Sequence, residues 1–137
     1  MPRIALFASS SRLVSLSLLL MISVKLVAAA PIIDIPKTTF DCGTVVQGKT
    51  TKLHASFLVR NSGKVPLHIT SVRPACGCTV ATFDSLIAPG KTGEVTADVN
   101  ISNFRTGPFT RTLALKSDAG DTAGIPLVIK GVIEPGR

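Results

Sequence analysis

The chain has 137 residues, of which 45% are hydrophobic and 4% aromatic, with neither tryptophan nor tyrosine, and its formal charge is +7 at pH 7. This length suits one domain with a modest aliphatic core. The basic residues are dispersed, and the chain lacks the basic clusters and stacking aromatic residues of nucleic-acid-binding proteins, so the composition argues against nucleic acid as a partner.

The first thirty residues have the pattern of a secretory signal peptide. Arg3 and Arg12 precede an apolar stretch over residues 13–24, and small residues follow at 27–30. We expect cleavage after Ala29, which separates a signal peptide of residues 1–29 from a single domain of residues 30–137. A retained membrane anchor is the alternative, but Lys25 interrupts the apolar stretch before it reaches the roughly 20 residues that span a bilayer.

Removal of this segment leaves 12 basic and 8 acidic residues, a net charge of +4. No cysteine follows the apolar stretch directly, because Cys42 lies well downstream, so lipoprotein processing is not expected. The prediction is an exported protein, periplasmic or extracellular, with no stable membrane insertion after cleavage and with cysteines in an oxidising compartment.

From residue 30 onward, short segments of alternating hydrophobic and polar residues recur between Gly, Pro, Asn and Asp. This pattern is typical of an antiparallel β-sandwich, and it predicts seven or eight strands and no helix. The predicted strands cover residues 32–35, 40–46, 51–60, 66–72, 80–83, 93–101, 109–116 and 123–133.

The clearest predicted strand is 51–60, where every second residue is apolar and is expected to face the core: Leu53, Ala55, Phe57 and Val59. Asn61-Ser62-Gly63-Lys64 predicts a tight turn with positive φ, so 51–60 and 66–72 should form a β-hairpin. Ala88-Pro89-Gly90-Lys91 predicts a second turn. His54 and His68 would lie on neighbouring strands of the hairpin, facing outward as surface residues.

Two strands are predicted at the edges of the sheets. Ile32–Ile35 is closed by Pro36, which cannot donate a ladder hydrogen bond, and the final strand is the second candidate edge. An edge strand can bind a partner by strand addition.

Five motifs stand in an order that resembles one bacterial family. They are Phe-Asp-x-Gly-Thr-Val (40–45), Phe-x-x-x-Asn-Ser-Gly-x-x-Pro-Leu-x-Ile (57–69), Cys-Gly-Cys-Thr (76–79), Ile-x-Pro-Gly-Lys-x-Gly (87–93) and Ile-x-Gly-Val (129–132). The family is called domain of unknown function 1573. Its members are exported domains that are similar to the ASH, major sperm protein and Hydin group. The resemblance covers about residues 33–133 and implies an immunoglobulin-like fold, but no established activity. Cys42 departs from the pattern, which usually has an aromatic residue there.

The three cysteines are the candidate site residues. Cys42, Cys76 and Cys78 allow three single disulfides, each of which leaves one free thiol. A Cys76–Cys78 bond closes a very small ring that Gly77 makes accessible, and such a bond should be readily reduced. A bond from Cys42 to either loop cysteine closes about 35 residues and is worth roughly 4 kcal/mol in the chain-entropy model. The favoured interpretation is a structural disulfide that anchors the loop against the sheet.

Two chemical alternatives compete with the anchor. In one, Cys76 and Cys78 exchange electrons with partners, which requires an exposed thiolate whose pKa is lowered by a neighbour such as Arg73. In the other, Cys76 and Cys78 bind a soft ion such as Cu(I) or Zn(II) together with Cys42 or a histidine.

No enzyme motif occurs in the sequence: neither a metalloprotease His-Glu-x-x-His, nor a Gly-x-Ser-x-Gly elbow, nor a phosphate-binding glycine loop. We therefore expect no catalytic residue, no resident metal and no cofactor. The predicted function is a small exported binding or structural module, whose partner is an unknown protein of the cell envelope.

Overall fold

The computed structural model describes residues 28–120 and 123–137. In these ranges the chain forms nine β-strands and no helix, which confirms the all-β prediction. The strands are β1 (Ile33–Asp34), β2 (Thr39–Val46), β3 (Lys52–Asn61), β4 (Leu67–Pro74), β5 (Thr79–Phe83), β6 (Leu86–Ile87), β7 (Thr92–Asn100), β8 (Gly107–Ser117) and β9 (Ile125–Glu134). The strand that exceeds the predicted seven or eight is β6, whose two residues are too few to show alternation.

The predicted signal peptide, residues 1–29, lies outside the described residues except for its last two. Residues 28–120 and 123–137 contain no apolar helix of membrane-spanning length.

The strands form two sheets, one of four strands in the order β1-β3-β7-β5 and one of five strands in the order β2-β9-β8-β4-β6. All pairs are antiparallel, as predicted, except β2 with β9, which run parallel, so the prediction of a wholly antiparallel sandwich is wrong at this pair. Alternate residues of both sheets are buried between them, as the periodicity predicts. Those of β3, β7 and β9 include Ala55, Phe57, Val59, Val95, Ala97, Val99, Leu127 and Ile129. Burial of each of the larger aliphatic side chains stabilises the fold by about 1.5–3 kcal/mol.

The predicted hairpin of residues 51–60 and 66–72 is wrong. β3 belongs to the four-stranded sheet and β4 to the five-stranded one, so the chain crosses the core between them. Asn61 fixes this crossing, because its fully buried side-chain amide donates to the carbonyls of Val65 at 2.7 Å and Ile87 at 3.0 Å. His54 and His68 are both exposed, as expected, but they lie on different sheets and not on neighbouring strands.

The two predicted turns differ in what their glycines do. Gly90 has φ +72°, and Lys91 N donates to Ala88 O at 3.0 Å, as the sequence predicts. Gly63 does not adopt positive φ. A Cβ there would lie 2.7 Å from Ile32 N and 2.9 Å from Ala30 O, so glycine is needed for close approach to the segment that precedes β1.

One of the two predicted edge strands is correct. β1 lies at the edge of its sheet and pairs only with Asn61 and Arg60 of β3. The final strand, β9, is not an edge, because it lies between β2 and β8. The edges of the described sheets are therefore β1 and β5 on one and β2 and β6 on the other.

Candidate functional site

The candidate site is built around the loop of residues 75–78, which carries the chain from β4 in one sheet to β5 in the other. Backbone hydrogen bonds hold both ends of this loop. Ala75 N donates to Thr112 O of β8 at 2.9 Å, and Asn100 N of β7 donates to Cys78 O at 2.8 Å. The loop is thus tied to both sheets through its backbone.

The sulfur atoms of Cys76 and Cys78 lie 2.00 Å apart, at disulfide-bonding distance. Of the three pairings that the sequence allows, the structure contains the one confined to the loop. Cys42 is a free cysteine. The long disulfide from Cys42, which would have anchored the loop against the sheet, is therefore not formed. Backbone hydrogen bonds and the packing of Cys78 against the core attach the loop instead.

Thr79, the first residue of β5, contacts the disulfide. The residue is 7% exposed, and its hydroxyl oxygen lies 3.7 Å from Cys76 Sγ and 3.8 Å from Cys78 Sγ. Sequence reasoning gave Thr79 no role beyond its place in the Cys-Gly-Cys-Thr motif. The available signal was its position directly after Cys78 and directly before the predicted strand 80–83.

A groove of about 530 Å³ opens beside the disulfide at one end of the four-stranded sheet. Cys78 lines it with seven other residues: Lys52, Gly77, Val80, Asp98, Asn100, Asn103 and Phe104. Lys52 is the cation among them. Asp98 Oδ1 is hydrogen-bonded to His54 Nδ1 at 2.7 Å, so its carboxylate already has a partner. Arg73, which the sequence proposed as the cationic neighbour of the cysteines, has an exposed side chain on β4 and does not line the groove.

β5 presents a free edge next to this groove. It pairs with β7 on one side, and no described strand pairs with its other side. Asn100 N donates to Cys78 O and Asp84 N donates to Glu94 O, so even-numbered residues of this segment bond to β7. The backbone groups of Ala81 and Phe83 consequently point away from β7. Val80, 67% exposed, adds an apolar side chain at this edge.

The free cysteine lies in a different environment, in an irregularity of β2. The register of β2 with β9 shifts between Asp41 and Thr44, and Gly43 adopts φ +69° there. Cys42 Sγ donates to Lys130 O at 3.2 Å, and burial raises the pKa of this thiol above its ordinary value. Gly131 of β9 makes room for the sulfur, because a Cβ at that position would lie 2.2 Å from it.

Asp41 supports the same irregularity. Its Oδ1 accepts a hydrogen bond from Gly43 N at 2.9 Å, and its Oδ2 lies 3.5 Å from Lys130 Nζ. The Gly43 hydrogen bond and then the Lys130 charge hold the pKa of Asp41 below its ordinary value.

The structure does not assemble the residues of the metal hypothesis. Among residues 28–120 and 123–137, no three His, Cys, Asp or Glu side chains are grouped as metal ligands, so Cys42 does not join Cys76 and Cys78 in such a set. His54 pairs with Asp98, and His68 lies on the other sheet.

A family model described as protein of unknown function, DUF1573, matches residues 33–133. No curated protein matches the chain. A solved structure of a protein of unknown function from Porphyromonas gingivalis W83 has a TM-score of 0.64 at 17% identity, covering 77% of this chain and 48% of that chain. This chain therefore spans about half the length of that relative.

Two further solved structures share the fold. The ASH/PapD-like domain 7 of human CEP192 has a TM-score of 0.56 at 10% identity, covering 77% of this chain and 87% of that one. The secreted serine protease VesC from Vibrio cholerae has a TM-score of 0.51 at 12% identity, covering 76% of this chain and 23% of that one. At these identities the similarity establishes the fold, an immunoglobulin-like β-sandwich of the ASH/PapD-like type, as the sequence predicted.

Proposed function

Because the chain belongs to the DUF1573 family, whose activity is not established, we propose from its site that it is an exported binding module. In this proposal it is not an enzyme, and it recognises an extended segment of a protein partner in the cell envelope. The observation that carries the proposal is the free edge of β5 beside an open groove.

Strand addition suits this edge because its hydrogen-bonding groups are already aligned. The backbone N–H and C=O groups of Ala81 and Phe83 point away from β7, so a partner strand can pair with them without disturbing the existing ladder. Backbone pairing supplies affinity, and side-chain contacts supply specificity. Val80 and Phe104 offer apolar contacts, and Lys52 offers a positive charge.

The Cys76–Cys78 bond serves as a local structural anchor in this proposal. It constrains the loop immediately before β5, so it limits the conformations of the strand end that the partner would meet. Such preorganisation lowers the entropy lost on binding. A disulfide also agrees with the export that the N-terminal sequence predicts, because disulfides persist in oxidising compartments.

Site-specific photo-cross-linking in the cell envelope tests this proposal. A photoreactive residue at Val80 should capture a protein that mass spectrometry identifies. The same residue at Val132, 41% exposed on β9 of the other sheet, serves as the control position and should not capture it. Equal capture at the two positions would contradict the proposal.

A pair of proline variants sharpens this test. Ala81→Pro removes an N–H that faces the free edge, so it should keep the fold and abolish capture at Val80. Thr82→Pro removes an N–H directed to β7 and should destabilise the protein instead. Undiminished capture in a folded Ala81→Pro protein would rule out strand addition at β5.

Thiol–disulfide exchange at Cys76 and Cys78 is a second candidate. The observation that favours it is that the bond joins two residues of one short loop and connects no strand of one sheet to a strand of the other. Opening of the bond therefore breaks no link between the sheets, and Cys78 is accessible from the groove.

A further inference from the structure

Thr79 is a buried residue, and its hydroxyl lies within hydrogen-bonding distance of the two sulfur atoms of the disulfide, 3.7 Å from Cys76 Sγ and 3.8 Å from Cys78 Sγ. Sulfur in a neutral cysteine is a weak acceptor, whereas a thiolate accepts a charge-assisted hydrogen bond. The hydroxyl is consequently poorly satisfied while the disulfide is intact. It gains a strong acceptor as soon as either sulfur becomes a thiolate.

We propose that Thr79 is a catalytic hydroxyl that stabilises the leaving thiolate in both steps of disulfide exchange at Cys76–Cys78. This inference rests on the second candidate function above. The substrate class is a dithiol, two cysteines of an extended polypeptide that reaches the groove, and the protein acts as its oxidant.

Attack begins at Cys78, because this cysteine lines the groove and Cys76 does not. A substrate thiolate forms a new S–S bond with Cys78 Sγ, and the Cys76–Cys78 bond breaks. The electron pair of that bond stays on Cys76 Sγ, where the Thr79 hydroxyl donates to it. Lys52 supplies a positive charge that attracts the incoming thiolate. The Asp98 carboxylate, which also lines the groove, is hydrogen-bonded to His54.

The second substrate thiolate then attacks the substrate sulfur of the mixed disulfide. A disulfide forms within the substrate, and Cys78 leaves with its electron pair, again within reach of the same hydroxyl. The substrate has lost two electrons and its two thiol protons, and the protein has gained both as the Cys76 and Cys78 thiols. A more oxidising disulfide compound restores the starting form by the reverse exchange.

A hydrogen bond to the thiolate lowers the pKa of its thiol and makes it a better leaving group. Thr79→Val keeps the shape and removes the donor, so it should raise the pKa of the thiols in the reduced protein and slow reduction of the disulfide by about tenfold. Thr79→Ser restores the hydroxyl and should return both quantities toward wild type. Thr82→Val is the matched control on the same strand, because the Thr82 hydroxyl bonds to Thr96 and not to sulfur.

The experiment uses the full chain, dithiothreitol as the probe dithiol, alkylation and mass spectrometry to count reduced cysteines, and thiolate absorbance against pH to obtain the pKa. The inference is supported if Thr79→Val is reduced more slowly than wild type and its thiols have a raised pKa. In that outcome, Thr82→Val keeps the wild-type rate and pKa, and Thr79→Ser returns both toward wild type. Equal rates and pKa values in wild type and Thr79→Val overturn the role of Thr79 but leave disulfide exchange standing. A wild-type disulfide that excess dithiothreitol does not open at neutral pH overturns both.

Discussion

Cys42 and the Cys76–Cys78 pair have similar partial burial but opposite chemical surroundings. Cys42 lies within the five-stranded sheet, where its thiol donates to a backbone carbonyl and its pKa is raised. Cys76 and Cys78 lie in a loop between sheets, bonded to each other and adjoining an open groove. Burial raises the pKa of the Cys42 thiol, whereas Cys76 and Cys78 are bonded to each other and Cys78 lines the groove, so only the pair is suited to exchange.

The two regions also differ in what maintains them. The Cys42 region depends on close packing, since its sulfur, Gly43 O and the Phe109 ring all approach Gly131. The loop region has open space around Gly77, where an added Cβ would meet nothing within 4 Å. We therefore expect an added methyl group beside Cys42 to lower the free energy of unfolding more than loss of the Cys76–Cys78 bond does.

The largest effect is expected from Gly131→Ala. The new Cβ would lie 2.2 Å from Cys42 Sγ and 2.9 Å from Gly43 O, so the variant should lose about 3 kcal/mol of unfolding free energy by urea denaturation. Cys42→Ala should recover part of this loss in the double variant. Gly77→Ala is the matched control and should change stability by less than about 0.5 kcal/mol. A Gly131→Ala protein as stable as wild type would contradict the close packing around Cys42.

Loss of the disulfide should have a smaller effect. The Cys76→Ser/Cys78→Ser double variant should lose at most about 1.5 kcal/mol, because the chain-entropy contribution falls with loop length. A disulfide to Cys42 would instead be worth roughly 4 kcal/mol. Equilibrium urea denaturation with and without reductant measures the difference. A loss near the larger value, or a wild-type protein in which alkylation finds Cys42 paired, would point to the longer bond.

Alkylation of Cys42 should be slower in the folded protein than in the unfolded chain, because burial raises the pKa of its thiol. Since burial raises the pKa of this thiol, the reactive thiolate is scarce at neutral pH, and alkylation should be at least about threefold slower than in the urea-unfolded chain. The folded state keeps its proton to higher pH than the unfolded state. The protonated Cys42 thiol therefore contributes its full stabilisation of the fold at pH values below the pKa of Cys42 in the unfolded chain. This contribution is lost as the pH rises through the pKa of Cys42 in the folded protein. A rate equal to that of the unfolded chain at neutral pH would contradict this.

The smallest effect is expected at Asp41. Because the pKa of Asp41 is lowered in the folded protein, its carboxylate stabilises the fold at pH values above the pKa of Asp41 in the unfolded chain. This stabilisation is lost as the pH falls through the pKa of Asp41 in the folded protein. Asp41→Asn keeps an oxygen for Gly43 N but removes the charge near Lys130. Stability at neutral pH should change little, and the loss of stability on acidification should become shallower. A steeper acid dependence than in wild type would contradict the assignment.

Alternation alone was enough to predict the core face of β3, because residues two positions apart in a strand lie on the same face. It failed at Asn61, where the same turn-forming residues suit either a hairpin or a crossing between sheets. The buried Asn61 amide, bonded to Val65 and Ile87, decides for the crossing. The final strand likewise has the pattern of an edge or a central strand, and only its pairing with β2 and β8 makes it central.

At the candidate site, the motif Cys76-Gly77-Cys78-Thr79 was visible in the sequence, but the contacts of its members were not. Spacing left three disulfides open, and Arg73 was the nearest cation along the chain. The groove instead brings Lys52, Asp98 and Phe104 to Cys78 from β3, β7 and the segment before β8. These residues are distant in sequence, so no local pattern associates them with the loop.

The sequence by itself determined the all-β class, the inward residues of the main strands and the family, because these depend on local periodicity and on motifs of neighbouring residues. Only the tertiary structure decided which strands share a sheet, which edge is free, which cysteines pair and what their sulfurs contact. Those properties depend on distances between residues far apart in the chain. Such distances are set by the joint packing of both sheets around the core, and that packing is what leaves Cys42 beside Gly131 and Cys76 beside Cys78.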